Sequence, residues 1–342
     1  MKKAKETTIY DIADKLDVSI ATVSRALKGD PVVNKKTRKK IIDLADKMGY
    51  RMNHFARNLR NQSTNTIGVI VPRLNSYFMA TVIAGIESIA NREGFNLIIS
   101  QSSESFTKEI ASAKTMYNNR VDGLLVSLAN DTENLNHFEQ FAKLNIPIIF
   151  FDRTEDLHRF TDIMIDNRKA AYEATSHLIS QGCKNIVHIT ASSQRNVYID
   201  RFNGFKQALK DHGLDFKKEN LIINGLNTED GNNVLQMLQT MNPFPDGVFA
   251  ANDSCAAGCI IELKKAGYKI PEDIAVVGFN DDPVASVVEP NLTTIHYPAD
   301  EMGKAAARRL INHLKGVMPI HTTETILLKP ELVIRESSLR KK

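Results

Sequence analysis

Residues 17–29 read DVSIATVSRALKG, and residues 9–16, directly before them, read IYDIADKL. Thr8 and Asp11 are spaced as in a capping box. Ile9, Ile12, Ala13 and Leu16 recur at i, i+3, i+4 and i+7, which predicts one helix with one apolar face. Asp17-Val18-Ser19 breaks that pattern. Ser19 is a candidate cap for a second helix whose Val23, Ala26 and Leu27 point inward while Ala21, Thr22 and Arg25 point out. Two short helices joined by a three-residue turn form a helix-turn-helix, whose second helix lies in the major groove of DNA.

Beyond Gly29 the loop DPVV leads to Asn34, a candidate N-cap for a third helix, KKTRKKIIDLADKMG. Ile41, Leu44, Ala45 and Met48 form its apolar stripe, and Gly49 ends it. Its first turns carry Lys35, Lys36, Arg38, Lys39 and Lys40. A charge run is ordinarily a solvated face. Beside a helix-turn-helix it reads as phosphate contact, with Asn34 and Lys36 at its head. Residues 1–61 hold 15 Lys and Arg against 7 Asp and Glu, so the head carries +8 and the rest of the chain −4, within a total of +4. A basic head on a mildly acidic body is the footprint of polyanion binding by the head. Tyr50 to Arg60, YRMNHFARNLR, then reads as a short helix before the polar stretch NQSTNT.

The chain of 342 residues is too long for one ordinary core, so two or three domains are expected. No apolar run approaches the roughly 18–20 residues of a membrane span. The opening MKKAKETTIYDIADKL lacks the apolar centre of a signal peptide, so a cytoplasmic location is expected. Cys183, Cys255 and Cys259 make no CxxC or Cys/His spacing and read as packing residues. GxSxG, HExxH and the Walker motif are absent, and the nine histidines are scattered. No enzyme activity, metal or cofactor is expected. The adjacent Asp281 and Asp282 read as turn residues rather than an acid/base pair.

From Thr66 the pattern changes to short apolar runs separated by helix-length segments: TIGVIVP, FNLIIS, VDGLLVS, IPIIFF, NIVHIT, LIING, DGVFAA and DIAVVGF. Strands apolar throughout predict parallel sheets covered on both faces, and two groups of them predict two α/β lobes. The late strands LTTIHYP and TETILL imply crossings between lobes near Leu292 and again near Glu324. The expected division is a head over 1–52, a hinge and linker over 53–65, and a body over 66–342. Its first lobe takes 66–165 and 293–323; its second takes 166–292 and 324–340. Ligands of open α/β sheets bind at the carboxyl ends of strands. That rule selects Arg73 to Phe78, Ser127, Asp152-Arg153, Ala191 to Arg201, Asn252-Asp253 and Asn280-Asp281. Rich in Asn, Asp and Arg, these suit a polar, hydroxyl-bearing small molecule, each of whose buried hydroxyls needs donor and acceptor partners.

The run TIYDIADKLDVSIATVSRALKGDPVVNKKTRKKIIDLADKMGYRMNHFARNLR resembles the head piece of the LacI/GalR family of bacterial transcription regulators, without a gap over some 50 residues. Ordered motifs continue the resemblance through the body: NSYF, VDGLLVS, FDR, DNRKAA, YIDRFNGF, AANDSCAAG, PEDIAVVGFND, PNLTTI and LVIRES. It implies a helix-turn-helix head, a hinge helix and a two-lobed, periplasmic-binding-protein-like α/β body. It makes His54 to Arg60 a hinge that folds on operator DNA, with Arg57, Leu59 and Arg60 on the duplex and Leu59 wedged into the minor groove, where an apolar side chain unstacks a base step. Ile20 and Ala21 occupy the positions that set operator preference, and both are apolar here. Arg25 is suited to a bidentate bond with guanine, and Thr22 and Ser24 to phosphate or a local cap. Two departures are visible. Asp17 stands where the family usually has the glycine of the turn, and Met52 where it has the proline before the hinge.

In the body the resemblance places Phe78, Asp152, Arg201, Asn252, Asn280 and Asp281 in the cleft. Arg201 also reads as one half of an ion pair within a lobe, Asp253 as a helix cap, and Asp166 and Asn167 as hinge or cap residues. The loop after LIING reads GLNTEDG, without the aromatic ring that sugar-responsive members place there, which leaves Phe78 and Tyr198 as stacking surfaces. The expected protein is a homodimeric regulator, a repressor, reading a palindromic operator under control of a sugar or sugar derivative. No heptad follows LVIRES, so no coiled-coil tetramer is expected. A solute-binding receptor would explain the body but not the basic head, and a sugar- or nucleoside-processing enzyme of α/β type would need turnover of a bound metabolite to sustain it.

Overall fold

The computed structural model describes residues 7–50, 63–155, 160–191, 194–320 and 324–340. They fall into two compact units that divide after Thr64. Residues 53–62 of the expected hinge and linker, with Arg57, Leu59 and Arg60, lie outside the described residues, as does Met52 before them.

In the first unit α1 spans Ile9–Leu16, α2 Ile20–Leu27 and α3 Lys35–Lys47. The capping box forms: Asp11 N–H donates to Thr8 Oγ1 and Thr8 N–H to Asp11 Oδ2. Asp17 ends α1 in the left-handed conformation (φ 50°, ψ 48°), which a short polar side chain tolerates, so the turn forms without glycine. Ser19 Oγ accepts Thr22 N–H at 3.1 Å and Asn34 Oδ1 accepts Thr37 N–H at 2.8 Å, fixing the starts of α2 and α3. The inward residues Ile12, Val23, Ala26 and Ile41 are fully buried together.

The second unit opens with β1 (Thr66–Val71), α4 (Tyr77–Arg92), β2 (Asn96–Gln101), α5 (Phe106–Asn118), β3 (Gly123–Val126), α6 (Glu139–Lys143), β4 (Ile148–Phe151) and β5 (Thr161–Ile165). There follow α7 (Asn167–Ser180), β6 (Ile186–Thr190), α8 (Asn196–Asp211), β7 (Leu221–Ile223), α9 (Thr228–Gln239), β8 (Gly247–Ala250), α10 (Asp253–Lys265), β9 (Ala275–Val277) and α11 (Val284–Val287). The chain ends with β10 (Thr294–His296), α12 (Ala299–Leu314), β11 (Thr325–Leu328) and β12 (Glu331–Val333). One sheet runs β11-β5-β4-β3-β1-β2 and a second β7-β6-β8-β9, both wholly parallel; β10 and β12 form a separate antiparallel pair.

The continuous apolar strands follow from burial on two faces. Val69 and Val71 pack with Val82, Ile86 and Met302, whereas Ile70 between them packs with Ala113, Met116 and Leu124. Likewise Ile186 faces Phe205, while Val187 and Ile189 face Val234, Leu238 and Ile260. Helices α4 and α12 cross closely enough that a Cβ on Gly303 would stand 2.0 Å from the Val82 carbonyl oxygen.

Two expectations are revised. The segment TETILL does not pass into the second lobe at Glu324: β11 pairs in parallel with β5 in the first sheet, Thr325 opposite Asp162, so the chain leaves that sheet only after Leu328. Strand β5 itself, TDIMI, was not among the eight runs. Its alternating burial and its Asp162 interrupt the apolar run that marks the other strands.

Candidate functional site

In the head, helix α2 presents Ile20, Ala21 and Arg25 to solvent, with Ile20 44% exposed. Thr22 and Ser24 are half-buried, and Thr22 Oγ1 lies 2.8 Å from Ser19 Oγ within the cap. On α3, Lys35, Lys36, Lys39 and Lys40 are exposed. Arg38 differs from them. Its Nη2 donates to Asp30 O at 2.6 Å, which ties the α2–α3 loop to α3 and takes this side chain out of the basic run. Asn34 has its side-chain oxygen committed to the cap. The exposed face of α2 therefore offers one cation, Arg25, between apolar groups.

In the body a cavity of about 430 Å³ opens between the carboxyl ends of the two sheets. Phe78, Asp152, Tyr198, Arg201, Asn252 and Asn280 line it. Asp152 follows β4, Asn280 follows β9, and Tyr198 and Arg201 come from the first turns of α8, so strand ends and one helix start converge on the same space. Arg201 is 4% exposed. Its Nε donates to Asn167 Oδ1 at 2.9 Å and its Nη1 to Ala251 O at 2.7 Å, while the guanidinium lies over Phe279, 3.7 Å from the ring centroid. Asn167, which also opens α7, is thus the side chain that orients Arg201. Asp152, at φ 59°, accepts from Tyr297 Oη at 3.0 Å. Burial raises the Asp152 carboxyl above the ordinary carboxylate range, against the pull of Arg153 and Arg201.

Two expected cleft residues lie elsewhere. Ser127, directly after β3, is wholly buried and does not line the cavity. Asp281 also faces away: Arg335 Nη2 holds it at 2.7 Å and His296 Nδ1 at 3.1 Å, beside a smaller neighbouring cavity. Its neighbour Asp282 lines the main cavity instead, since successive residues of the turn after β9 point opposite ways. Asn252 lines the cavity with both ends of its amide committed, Oδ1 to Cys255 N–H at 2.8 Å and Nδ2 to Leu226 O at 2.7 Å. Asp253 is a buried brace, accepting from Thr294 Oγ1 at 2.6 Å and Asp282 N–H at 2.7 Å, and burial pushes its carboxyl up to about 7 and that of Asp282 to about 6.

Sequence reasoning missed Tyr297 and Glu104. Tyr297 follows the crossover strand β10, where the strand-end rule for open sheets has no purchase. Its ring meets Phe78 at 4.5 Å between centroids, so these two rings, with Tyr198, provide the aromatic wall absent from GLNTEDG. Glu104 accepts from Arg153 Nη1 at 2.7 Å and Arg73 Nε at 3.1 Å. Arg153 also donates to Tyr198 Oη at 3.0 Å, joining the loop after β4 to α8.

The head and the cleft together match known proteins along nearly the whole chain. The profile of bacterial regulatory proteins of the lacI family fits residues 8–53, and that of the periplasmic binding protein-like domain fits residues 175–338. The ribose operon repressor of Bacillus subtilis is 31% identical over 334 residues, covering 98% of this chain and 99% of its own. The chain belongs to the LacI family. This LacI-family chain is a transcription regulator that binds DNA through its helix-turn-helix, and not an enzyme. The lac repressor dimer bound to operator and the anti-inducer ONPF shares its fold, with a TM-score of 0.87 at 23% identity over 98% of this chain and 100% of that one. A LacI-family regulator from Enterococcus faecium with bound ribose, 26% identical, matches with a TM-score of 0.71 over 81% of this chain and 100% of that one. Among the described residues no helix is long and apolar enough to cross a membrane.

Proposed function

We propose that this regulator is a homodimeric repressor that binds a palindromic operator in the cytoplasm and whose operator affinity is set by a sugar or sugar derivative in the cleft. The observation that carries the reading is the convergence of Asp152, Arg201 and the Phe78–Tyr297 ring pair on one cavity, in a chain that also carries a helix-turn-helix. A carboxylate, a guanidinium and ring faces suit hydroxyls and the apolar face of a pyranose or furanose. The relatives that carry ribose in their name or are described with bound ribose support the same class. One head reads one half-site, so a two-fold operator calls for a dimer. Arg25 is the base reader, Lys36 the phosphate contact, and Arg57, Leu59 and Arg60 the hinge contacts on DNA. The body alone suits a solute receptor, but the basic head has no role in one.

The test is selection of binding sites from random duplex DNA by the full-length protein, followed by gel shifts with a panel of sugars. A two-fold-symmetric consensus, and a sugar that changes its affinity, are expected. A consensus without symmetry, or affinity indifferent to every ligand that stabilises the protein, refutes the reading.

A further inference from the structure

The charge around the cleft is balanced in a way that selects among ligands. Three guanidiniums, of Arg73, Arg153 and Arg201, line it against four carboxylates, of Glu104, Asp131, Asp152 and Asp282. Each cation already has at least one partner in the protein. Glu104 takes both Arg73 and Arg153, one on each carboxylate oxygen, and its second oxygen also accepts Asn130 N–H at 3.0 Å. Arg153 spends its other terminal nitrogen on Tyr198 Oη. Arg201 gives Nε to Asn167 and Nη1 to Ala251, so each of its paired donor edges already carries one bond within the protein.

Helix N-termini are the other common anion receptors, and here three of the four at the cavity are occupied by the protein itself. Ser76 caps α4, Asn227 caps α9 in a capping box with Asp230, and Asn252 caps α10, each accepting an N–H of the first turn. Only α8 starts without a side-chain cap. Asp152 Oδ2 has Arg153 Nε no nearer than 4.0 Å, and Asp131 uses Oδ1 for Phe106 N–H at 2.6 Å.

Resting on the reading of this cavity as the effector site, we infer that it takes a donor-rich, uncharged or amine-bearing carbohydrate and excludes phosphorylated and carboxylated ones. An anion here meets a net negative lining whose cations are already partnered in part, and in a partly buried site that mismatch is screened far less than in water. Hydroxyl and ammonium donors meet carboxylates instead, of which Asp131 and Asp152 each accept one hydrogen bond through Oδ1.

Thermal unfolding of the full-length protein tests this in two arms. The first uses matched sets: pentoses, hexoses and disaccharides beside their phosphate esters, acid forms and amino forms. Stabilisation by a neutral or amino sugar and not by its phosphate or acid form supports the inference. A phosphate ester or sugar acid that stabilises more than its neutral parent overturns it, while leaving the effector-gated regulator intact. The second arm is decisive even when no sugar in the panel binds. Inorganic phosphate is added to wild type, Glu104→Gln and Asp282→Asn, and read as the difference from wild type, which cancels the general stabilisation by that salt. Glu104→Gln releases Arg73 and Arg153, so phosphate should raise its midpoint by several degrees more than that of wild type, and Asp282→Asn should follow in the same direction. Equal shifts in all three overturn the inference. Failure of the regulator reading itself shows separately, as the absence of any preferred operator.

Discussion

Arg201→Ala separates the two things this side chain does. Removing it strands Asn167 Oδ1 and the Ala251 carbonyl, on residues 2% and 1% exposed, and vacates the face of Phe279. Each stranded buried acceptor costs about 1–3 kcal/mol, and loss of the desolvated cation–π contact adds about 2 kcal/mol. Against this, a buried guanidinium is itself costly, as its pKa, lowered by burial, shows, and its removal offsets part of the loss. A net destabilisation of about 3 kcal/mol results, or roughly 6–12 °C in the midpoint for a body of this size. A sugar present at about 100 times its Kd should stabilise wild type by about 2.7 kcal/mol and the variant hardly at all. Thermal unfolding with and without the sugar that changes operator affinity measures both. An unmoved midpoint refutes the bonding described, and a lowered midpoint with full sugar protection refutes the placement of Arg201 at the ligand.

Arg25→Ala should cost about 1–3 kcal/mol at one base position per half-site and relax preference there, whereas Lys36→Ala should weaken all duplexes alike and reduce the salt slope by about 1, as measured by fluorescence anisotropy. Equal effects on all sequences would remove Arg25 from base readout. The carboxyls of Asp253 and Asp282, raised from 3.8 to about 7 and about 6, bind protons more tightly in the folded protein. Their contribution to stability is therefore complete below pH about 4 and is lost as pH rises through 6 and 7. Urea midpoints taken between pH 5 and 8 should fall across that window, and Asp253→Asn should flatten the fall. Gly303→Ala, which drives a methyl to 2.0 Å from the Val82 carbonyl, should destabilise the body by about 1–3 kcal/mol or more in urea unfolding.

The head was legible almost residue by residue because its signals are local: a cap, a stripe and a break lie within four residues of one another, and Thr8, Asp17, Ser19 and Asn34 act through backbone groups nearby. The apolar strands were legible for a similar reason, since burial on both faces leaves no polar position to confuse the pattern. Ser127, Asp281 and Asp282 show where this stops. Residues adjacent in a turn face opposite ways, and no sequence period records which one faces the ligand. Tyr297, Glu104 and the segment after Glu324 depend on pairings between distant parts of the chain, such as β11 beside β5 and Glu104 beside Arg153, and these leave no local trace.

The cleft loops share one further property. Glu104, Asp152, Leu226, Asn280 and Asp281 all adopt positive φ without being glycine, at 60°, 59°, 58°, 116° and 61°. Asp152 and Asp281 tolerate it as Asp17 does, whereas Glu104, Leu226 and Asn280, at about 1–3 kcal/mol each, persist only where their surroundings fix them. Here backbone bonds do so, from Asp152 N–H to Ile163 O and from Asn280 N–H to Ile295 O, and the Asn252 amide holds the Leu226 carbonyl. The loop after β4 carries polar links between the two sheets' surroundings, Arg153 to Tyr198 and Asn196 Nδ2 to the Asp152 carbonyl at 3.2 Å, and Arg195 Nη2 adds one to the Thr132 carbonyl at 2.6 Å. A ligand shifts a conformational equilibrium only by the difference in its bonds to the two states. A ligand that changes the contacts of Asp152 or Arg201 acts, under the proposed function, on loops that carry those links. Under the proposed function, a coupling of about 1–3 kcal/mol between sugar and operator then requires the difference of only one or two such bonds.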